Sequence, residues 1–176
     1  DWEAAVLYSE AQSDDITSNR VSNTLLKEAL NDSTSAAYNP FSAGVDSNIE
    51  RILVDVYRKG SSSLAMMDFK VSNGDFMELD AGPMGIMFGV EMREEKIVDD
   101  RDPRLDGTIQ YVDYENDVYP EIGDVVNSSP TGDVSGKRNT LSFFTEAQIP
   151  LAERVNAQIA LRYENMSDVE DSLVSK

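Results

Sequence analysis

RNTLSFFTEAQIPLAERVNAQIALRYE, residues 138–164, decides the fold class of this chain. Every second residue in both halves of the stretch falls on one, mostly apolar, face: Leu141, Phe143, Thr145, Ala147 and Ile149, then Ala157, Ile159, Leu161 and Tyr163. A period of two is typical of β-strands, because successive side chains point to opposite sides of a pleated chain. Pro150 opens the polar turn between the halves, and proline suits a strand end since it cannot donate a ladder hydrogen bond. The stretch predicts an antiparallel hairpin.

The opposite face of this hairpin is polar, with Glu146, Gln148, Gln158, Arg162 and Glu164. A soluble β-sandwich explains the pattern if the apolar faces form a core and the polar faces meet water. A transmembrane β-barrel explains it equally well if the apolar faces meet lipid and the polar faces line a wet lumen. Alternation over nine or ten residues slightly favours the barrel, because a strand needs about 9–11 residues to cross the hydrocarbon layer. At this point both interpretations stay open.

Composition excludes several classes of function. The chain has 33 acidic and 15 basic residues and a net charge of −18, which argues against binding nucleic acid or docking electrostatically on anionic lipid. It contains neither cysteine nor histidine, so thiolate nucleophiles, Ser-His-Asp triads and ordinary zinc sites are ruled out. We therefore expect no cofactor and no metal. Paired carboxylates for glycoside chemistry can be drawn among so many acidic residues, but nothing marks a raised pKa or a cleft, so we also expect no enzyme activity. Because the sequence starts at Asp1, apparently within a strand, we also expect it to be a piece of a longer protein.

Alternation elsewhere predicts about five strands, near residues 1–10, 62–72, 84–97, 138–149 and 156–166. Two long connections separate them, near residues 11–61 and 97–137. The first is predicted to contain a short helix near residues 21–30 and a second, opened by a Ser47–Glu50 capping box. Asn73-Gly74-Asp75 predicts a turn, and the tail after Glu164 is predicted to lack a partner strand. Long and short connections thus alternate, as they do in outer-membrane barrels.

The second connection is rich in carboxylates and tyrosines. Asp99, Asp100, Asp102 and Asp106 suggest a calcium loop, because hard cations take oxygen ligands. The spacing is not that of an EF-hand and the terminal glutamate is missing. A solvated acidic loop is the preferred interpretation, and no metal site is predicted.

Several segments together resemble the TonB-dependent outer-membrane receptors. They are Tyr38–Phe41 (YNPF), Glu78–Gly85 (ELDAGPMG), Gly89–Glu95 (GVEMREE), Asp99–Pro103, Phe143–Leu151 with its EAQIPL ending, and Ala160–Glu164 (ALRYE) followed by Ser167-Asp168. These segments extend over nearly the whole chain, and it is their order and spacing together that carry the resemblance. Met166 departs from it, since an aromatic residue is common there, and the plug, the TonB box and the final strand are not among these residues.

The resemblance implies a fold, a location and a set of partners. The chain would be one partial barrel domain over residues 1–176, an antiparallel transmembrane β-barrel fragment in the cell outer membrane whose long extracellular loops contain short helices. The receptor would take up a scarce nutrient such as siderophore-iron, haem, cobalamin or a glycan. Its partners would be outer-membrane lipid, the plug domain of the same parent chain, the TonB complex and a small-molecule ligand.

The resemblance also implies roles for individual residues. The two long connections would form part of the ligand vestibule, and five residues there are candidates for ligand contact: Arg101, Arg104, Tyr111, Tyr114 and Tyr119. Aromatic rings offer rigid apolar area with a polar tip, and arginine offers a fork for carboxylates. Five charged residues are predicted to face the lumen: Glu91, Arg93, Glu146, Arg162 and Glu164. The alternative functions are a soluble β-sandwich serving as a binding or adhesion module, and a porin-like segment without a plug.

Overall fold

The computed structural model describes residues 1–175, which divide into two compact units. Residues 1–11, 62–97 and the chain after residue 135 form the first, here called the strand unit. Residues 12–61 and 98–135 form the second, here called the loop unit. The single predicted domain is therefore built as two units, each of which draws on segments far apart in sequence.

The described residues form eight strands, one α-helix and one 3₁₀ helix. In chain order these are β1 (Trp2–Val21), α1 (Asn23–Asn31), the 3₁₀ helix (Ile49–Ile52), β2 (Leu53–Leu79), β3 (Gly82–Arg101), β4 (Gln110–Val112), β5 (Val118–Gly123), β6 (Val134–Ala152), β7 (Val155–Met166) and β8 (Ser172–Ser175). Six of the strands make one sheet in the order β1-β2-β3-β6-β7-β8, and β4 pairs with β5. The predicted all-β antiparallel class is confirmed.

The predicted number of strands, about five, is wrong for the described part of the chain. Each predicted strand exists but is longer than expected, and β4, β5 and β8 are additional. The polar tail was predicted to have no partner, yet β8 pairs antiparallel with β7, with Leu173 opposite Tyr163. A strand of four residues such as β8 is too short to show alternation, so only its backbone pairing identifies it.

The predicted bounds of the long connections are also wrong. Residues 12–21 continue β1, residues 53–61 start β2, and β3 and β6 extend into the region predicted as the second connection. Polar residues at 12–20 hide the period of two, but ladder hydrogen bonds do not depend on side-chain polarity. The true connections are therefore residues 22–52 and 102–133.

The two predicted helices had different outcomes. The first is confirmed as α1, whose N-cap Ser22 accepts a hydrogen bond from the Leu25 amide at 3.2 Å. The second is only a one-turn 3₁₀ helix, and its N-cap is Asn48, which makes no side-chain cap bond, so the Ser47–Glu50 capping box is wrong. Strand β2 begins directly afterwards, where β-branched Val54 and Val56 favour extended structure.

The predicted turn at residues 73–75 is wrong as well, because β2 passes through it. The chain instead reverses at Asp80 and Ala81, and Gly82 follows with φ 127°, a backbone conformation that residues with a Cβ rarely adopt. Gly74 stays in the strand, and its carbonyl oxygen lies 3.6 Å from the position that a Cβ on Gly85 would occupy. This is an ordinary van der Waals distance, so a methyl group at Gly85 would fit beside β2.

The hairpin predicted from residues 138–164 is confirmed as β6 and β7. Phe143 pairs with Tyr163 and Phe144 with Arg162, and the two residues of each pair point to the same side of the sheet. The alternating apolar and polar faces are therefore continuous across both strands.

The faces of the strand unit differ in exposure, and the apolar one is the more exposed. Phe88, Phe143 and Leu161 are 52%, 51% and 44% exposed, whereas Ser142 and Thr140 on the other face are 0% and 3% exposed. In residues 1–175 the buried apolar side chains are Ala29, Ile52, Val56 and Val125, all in the loop unit. The described residues of the strand unit have no buried apolar core. Neither helix of the described chain is long and apolar enough to cross a membrane.

Substituting Gly89 tests how closely this sheet is packed. A Cβ on Gly89 would lie 2.2 Å from the Phe144 ring, so we expect Gly89→Ala to displace that ring and destabilise the full-length protein by about 1–3 kcal/mol. Gly132→Ala is the matched control, because no atom lies within 4 Å of its Cβ position. Urea unfolding of both variants measures the effect, and equal midpoints would contradict the packing described.

Candidate functional site

The charged residues predicted to face the lumen lie on one face of the strand unit, here called the polar face. Arg162 is at its centre. Its Nε donates to Glu164 Oε1 at 2.8 Å, and its Nη2 donates to Glu91 Oε1 and to Ser142 Oγ, both at 3.1 Å. One guanidinium thus joins β3, β6 and β7. Since the Arg162 side chain is 36% exposed, solvent screening limits each ion pair to about 1 kcal/mol. Its main effect is to fix the three strands laterally.

An aromatic contact holds Arg162 in place. The Phe144 ring lies over Gly89 on the neighbouring strand, in the space that a side chain there would fill. The Arg162 guanidinium lies 5.6 Å from the centre of that ring, within the range of cation–π attraction. Gly89, Phe144 and Arg162 therefore form a row across three strands, and the carboxylates flank it.

The remaining predicted lumen residues extend the polar face. The Gln158 amide donates to Glu146 at 2.5 Å, and Arg93 Nε lies 3.6 Å from Glu95 Oε2. Arg93 Nε and the Thr140 hydroxyl are buried without a hydrogen-bond partner in the described residues. The structure brings all five predicted residues onto this face; that the face lines a lumen stays a prediction.

In the loop unit, a buried carboxylate connects three segments of the chain. Asp124 is fully buried; its side chain accepts hydrogen bonds from the Ser22 hydroxyl at 2.8 Å and the Thr24 amide at 2.9 Å, and it pairs with Arg104. Its own carbonyl accepts from the Asn23 amide at 2.6 Å. The start of α1, the end of β5 and the segment after β3 are therefore held by one side chain.

These contacts explain the acidity of Asp124. Burial alone raises the pKa of its carboxyl group, but hydrogen bonds from Thr24, Arg104 and Ser22 outweigh burial and hold the pKa below its ordinary value of 3.8. The carboxylate therefore stays charged at neutral pH, and Arg104 is occupied within the protein. This predicted ligand-contact residue has a structural partner.

The predicted tyrosines lie on the β4–β5 hairpin and differ from one another. The Tyr111 and Tyr119 rings pack against each other with centres 5.7 Å apart, and the Tyr119 hydroxyl donates to Asp113 at 3.0 Å. Tyr114, in the turn, is 79% exposed. Two of the three rings thus stabilise the hairpin and the third projects from it.

Asp113 organises the turn that contains Tyr114. Its carboxylate accepts from the Glu115 amide at 2.9 Å and from the Asp117 amide at 3.0 Å. Burial alone raises the pKa of Asp113, but hydrogen bonds from Asp117, Tyr119 and Glu115 outweigh it and lower the pKa. The turn is therefore fixed around one charged side chain.

The acidic segment considered for calcium is occupied by other contacts. Asp99 pairs with Arg58 at 2.7 Å and with Arg101 at 3.0 Å, and Asp102 accepts from the Arg104 amide at 2.9 Å. Among residues 1–175 no three acidic side chains are grouped as a metal site. Arg101, like Arg104, is thus paired with a carboxylate of the loop unit.

Comparison with known proteins adds no family. No protein-family model, curated protein or solved structure matches this chain. The geometry and the sequence pattern are therefore the basis for a proposed function.

Sequence reasoning missed Asp124, Asp113 and the contact between Gly89 and Phe144. Ser22 had a detectable signal, because serine is a preferred N-cap and the predicted helix began beside it. Nothing local distinguishes Asp124 from the other carboxylates of its segment, because two of its side-chain partners, Ser22 and Thr24, lie about one hundred residues away in the chain.

Acid should loosen the loop unit through Asp124. Because its folded pKa lies below the unfolded value, its contribution to stability is complete above about pH 4 and is lost as the pH falls through the folded pKa. We expect Asp124→Asn to lower the stability of the loop unit by about 1–3 kcal/mol at pH 7 and to remove most of this acid sensitivity. Hydrogen exchange at the Thr24 amide, corrected for its intrinsic pH dependence, measures both effects.

Glu50→Gln is the control, because Glu50 is exposed and its loss should leave exchange at Thr24 unchanged. If Asp124→Asn and wild type exchange equally at pH 7, Asp124 does not hold these segments together.

Proposed function

We propose that this chain is part of the barrel wall and ligand vestibule of a TonB-dependent outer-membrane receptor. Such a receptor takes up a scarce nutrient: siderophore-iron, haem, cobalamin or a glycan. The observation that supports the proposal most is the exposure of the large apolar residues of the strand unit, together with the burial of Ser142 and Thr140 on its polar face. In water this arrangement leaves apolar area unburied, whereas in lipid it is favourable.

The apolar residues also form a band of suitable height. On β6 the alternation runs from Leu141 to Ile149, and its partner β7 has Ala157, Ile159, Leu161 and Tyr163 on the same face. A barrel strand crosses the hydrocarbon layer in about 9–11 residues, which is the length of this run. Beyond the band the same face becomes polar, with Asn139 and Lys137 on β6 and Glu94 and Lys96 on β3.

The connections support the same proposal. β2 and β3 are joined by a two-residue turn, as are β6 and β7, whereas 31 residues separate β1 from β2 and 32 separate β3 from β6. Short turns alternating with long loops are typical of outer-membrane barrels. In this proposal the loop unit lies outside the cell, and β1 and β8, the edges of the described sheet, pair with further barrel strands.

A soluble β-sandwich would require the apolar face to be buried. It requires Phe88, Phe143, Ile159 and Leu161 to pack in a core, yet each is at least 44% exposed. The sandwich is therefore the weaker proposal.

Introducing an arginine on each face in turn tests whether the apolar face meets lipid and the polar face does not. In the full-length protein we expect Phe143→Arg to reduce the amount assembled in the outer membrane, because arginine on the lipid face of a barrel strand opposes insertion, by up to about 2–4 kcal/mol at the bilayer midplane and by less toward its edges. Gln148→Arg is the matched control: the same strand receives the same residue on its polar face, where Gln148 is exposed. Immunoblots of fractionated cells, with and without heating, measure assembly.

The proposal predicts that Phe143→Arg lowers the amount of protein assembled in the outer membrane and that Gln148→Arg leaves this amount unchanged. Equal assembly of the two variants, or wild-type protein in the soluble fraction, would contradict it.

A further inference from the structure

The polar face of the strand unit contains a groove near the ends of the strands that lead into the long connections. Its volume is about 660 Å³, within the range of about 300–1,000 Å³ that accommodates small ligands. Farther toward the short turns, Phe144 and Arg162 cover this face of the sheet. In the groove, the short residues Ser9, Ser62 and Gly136 on three strands leave the corresponding space open.

Two side chains of opposite charge lie next to each other in this groove. Ile97 Cγ2 is 3.4 Å from the position that a Cβ on Gly136 would occupy, which places these two residues opposite each other on β3 and β6. Glu95 precedes Ile97 by two residues and Arg138 follows Gly136 by two. In antiparallel strands, Glu95 and Arg138 are therefore also opposite and point to the same side of the sheet.

The hydrogen-bonding capacity of these two side chains is only partly used. Arg138 Nε donates to Asp168 Oδ1 and its Nη2 donates to Asp168 Oδ2, both at 2.8 Å, so this fork occupies two of the three guanidinium nitrogens. Arg93 Nε lies 3.6 Å from Glu95 Oε2, which is too long for a hydrogen bond, and Glu95 is 45% exposed. One basic and two acidic side chains, Arg138, Glu95 and Asp168, give this part of the groove a net charge of −1.

Polar groups beside the groove lack partners. Arg93 and Thr140 are the next residues on the same face of β3 and β6 after Glu95 and Arg138. Arg93 Nε and the Thr140 hydroxyl are buried without a hydrogen-bond partner in the described residues, and Thr140 is only 3% exposed. Since nearly all buried polar groups in proteins are paired, we expect a polar layer to lie against this part of the face.

We propose that this groove binds a neutral saccharide. A hydroxyl group both donates and accepts hydrogen bonds, so adjacent hydroxyls of one sugar ring can donate to Glu95 and accept from Arg138. The Ser9 and Ser62 hydroxyls, from β1 and β2, offer further partners of the same kind on the opposite side of the groove.

The other ligand classes fit the groove less well. An anionic ligand would be repelled by Glu95 and Asp168 and would meet an arginine whose fork is already occupied. A haem-like plane needs broad apolar walls, whereas the large apolar side chains here are Leu64 and Ile97. Among the nutrients named for the receptor, the groove therefore favours a glycan. Identifying the saccharide as the transported nutrient rests on the proposed function, but saccharide binding at the groove does not.

Neutral and anionic oligosaccharides test the inference. The probes are oligosaccharides of glucan, mannan, galactan and xylan, together with the anionic oligogalacturonate. Each is titrated by saturation-transfer NMR against the full-length protein in a detergent without sugar head groups. We expect at least one neutral probe to bind at least about fivefold tighter than oligogalacturonate, and salt to leave its binding unchanged, because it forms no ion pair.

Two variants locate the binding at the groove. Glu95→Gln should weaken binding of the neutral probe by about fivefold or more, because it removes a charged hydrogen-bond acceptor. Ser62→Phe should abolish binding by filling the groove. Glu153→Gln is the matched control, because Glu153 is exposed in the turn between β6 and β7 and its loss should leave binding unchanged. The mobility of each variant on gels, with and without heating, verifies that it is folded.

The inference would be overturned if no neutral probe bound, if oligogalacturonate bound more tightly, or if neither Glu95→Gln nor Ser62→Phe weakened binding. A protein that binds the neutral probe at Glu95 but fractionates as soluble would contradict the proposed function and leave the inference standing. An outer-membrane protein that binds none of the neutral probes would do the reverse.

Discussion

The structure of the strand unit depends on one constraint: its large apolar side chains lie on an exposed face. Phe88, Phe143 and Ile159 are each about half exposed, and the buried apolar residues of the described chain all belong to the loop unit. Hydrophobic burial normally stabilises a sheet in water. Since the described residues of this sheet do not provide it, an apolar environment outside the chain is needed, and a lipid bilayer is the one we propose.

The polar face fits the same environment. Arg162 links three strands through Glu91, Ser142 and Glu164, and Phe144 fills the space above Gly89. These contacts provide the packing and polar satisfaction that a core provides elsewhere. The loop unit is built differently: its buried apolar side chains are Ala29, Ile52, Val56 and Val125, and the buried Asp124 carboxylate pairs with the partly exposed Arg104. Its basic side chains are all engaged by partners within the unit.

Alternation in the sequence was sufficient to predict the fold class and the β6–β7 hairpin, because side-chain period and backbone geometry are directly related in a strand. It also placed Glu91, Arg93, Glu146, Arg162 and Glu164 on one face. It failed for residues 12–20, where polar composition hides the period, and for β8, which has only four residues. It also failed at Asn73–Asp75, where a local turn signal was overridden by pairing with β3. It could not identify Asp124, whose partners Ser22 and Thr24 lie about one hundred residues away in the chain. It also could not distinguish Tyr114 from Tyr111 and Tyr119, because that difference depends on how the β4–β5 hairpin folds.

The most direct test of the central claim measures which residues of β7 meet lipid. Spin labels placed singly from residue 156 to residue 163 in the full-length protein in membranes report accessibility to oxygen, which concentrates in lipid, and to a water-soluble nickel chelate. We expect oxygen accessibility at residues 157, 159, 161 and 163 and nickel accessibility at the even positions between them. If the odd positions were closed to both reagents, they would be packed in a protein core, and if they were open to nickel they would face water. Either result would contradict the proposal that this face lies in a membrane.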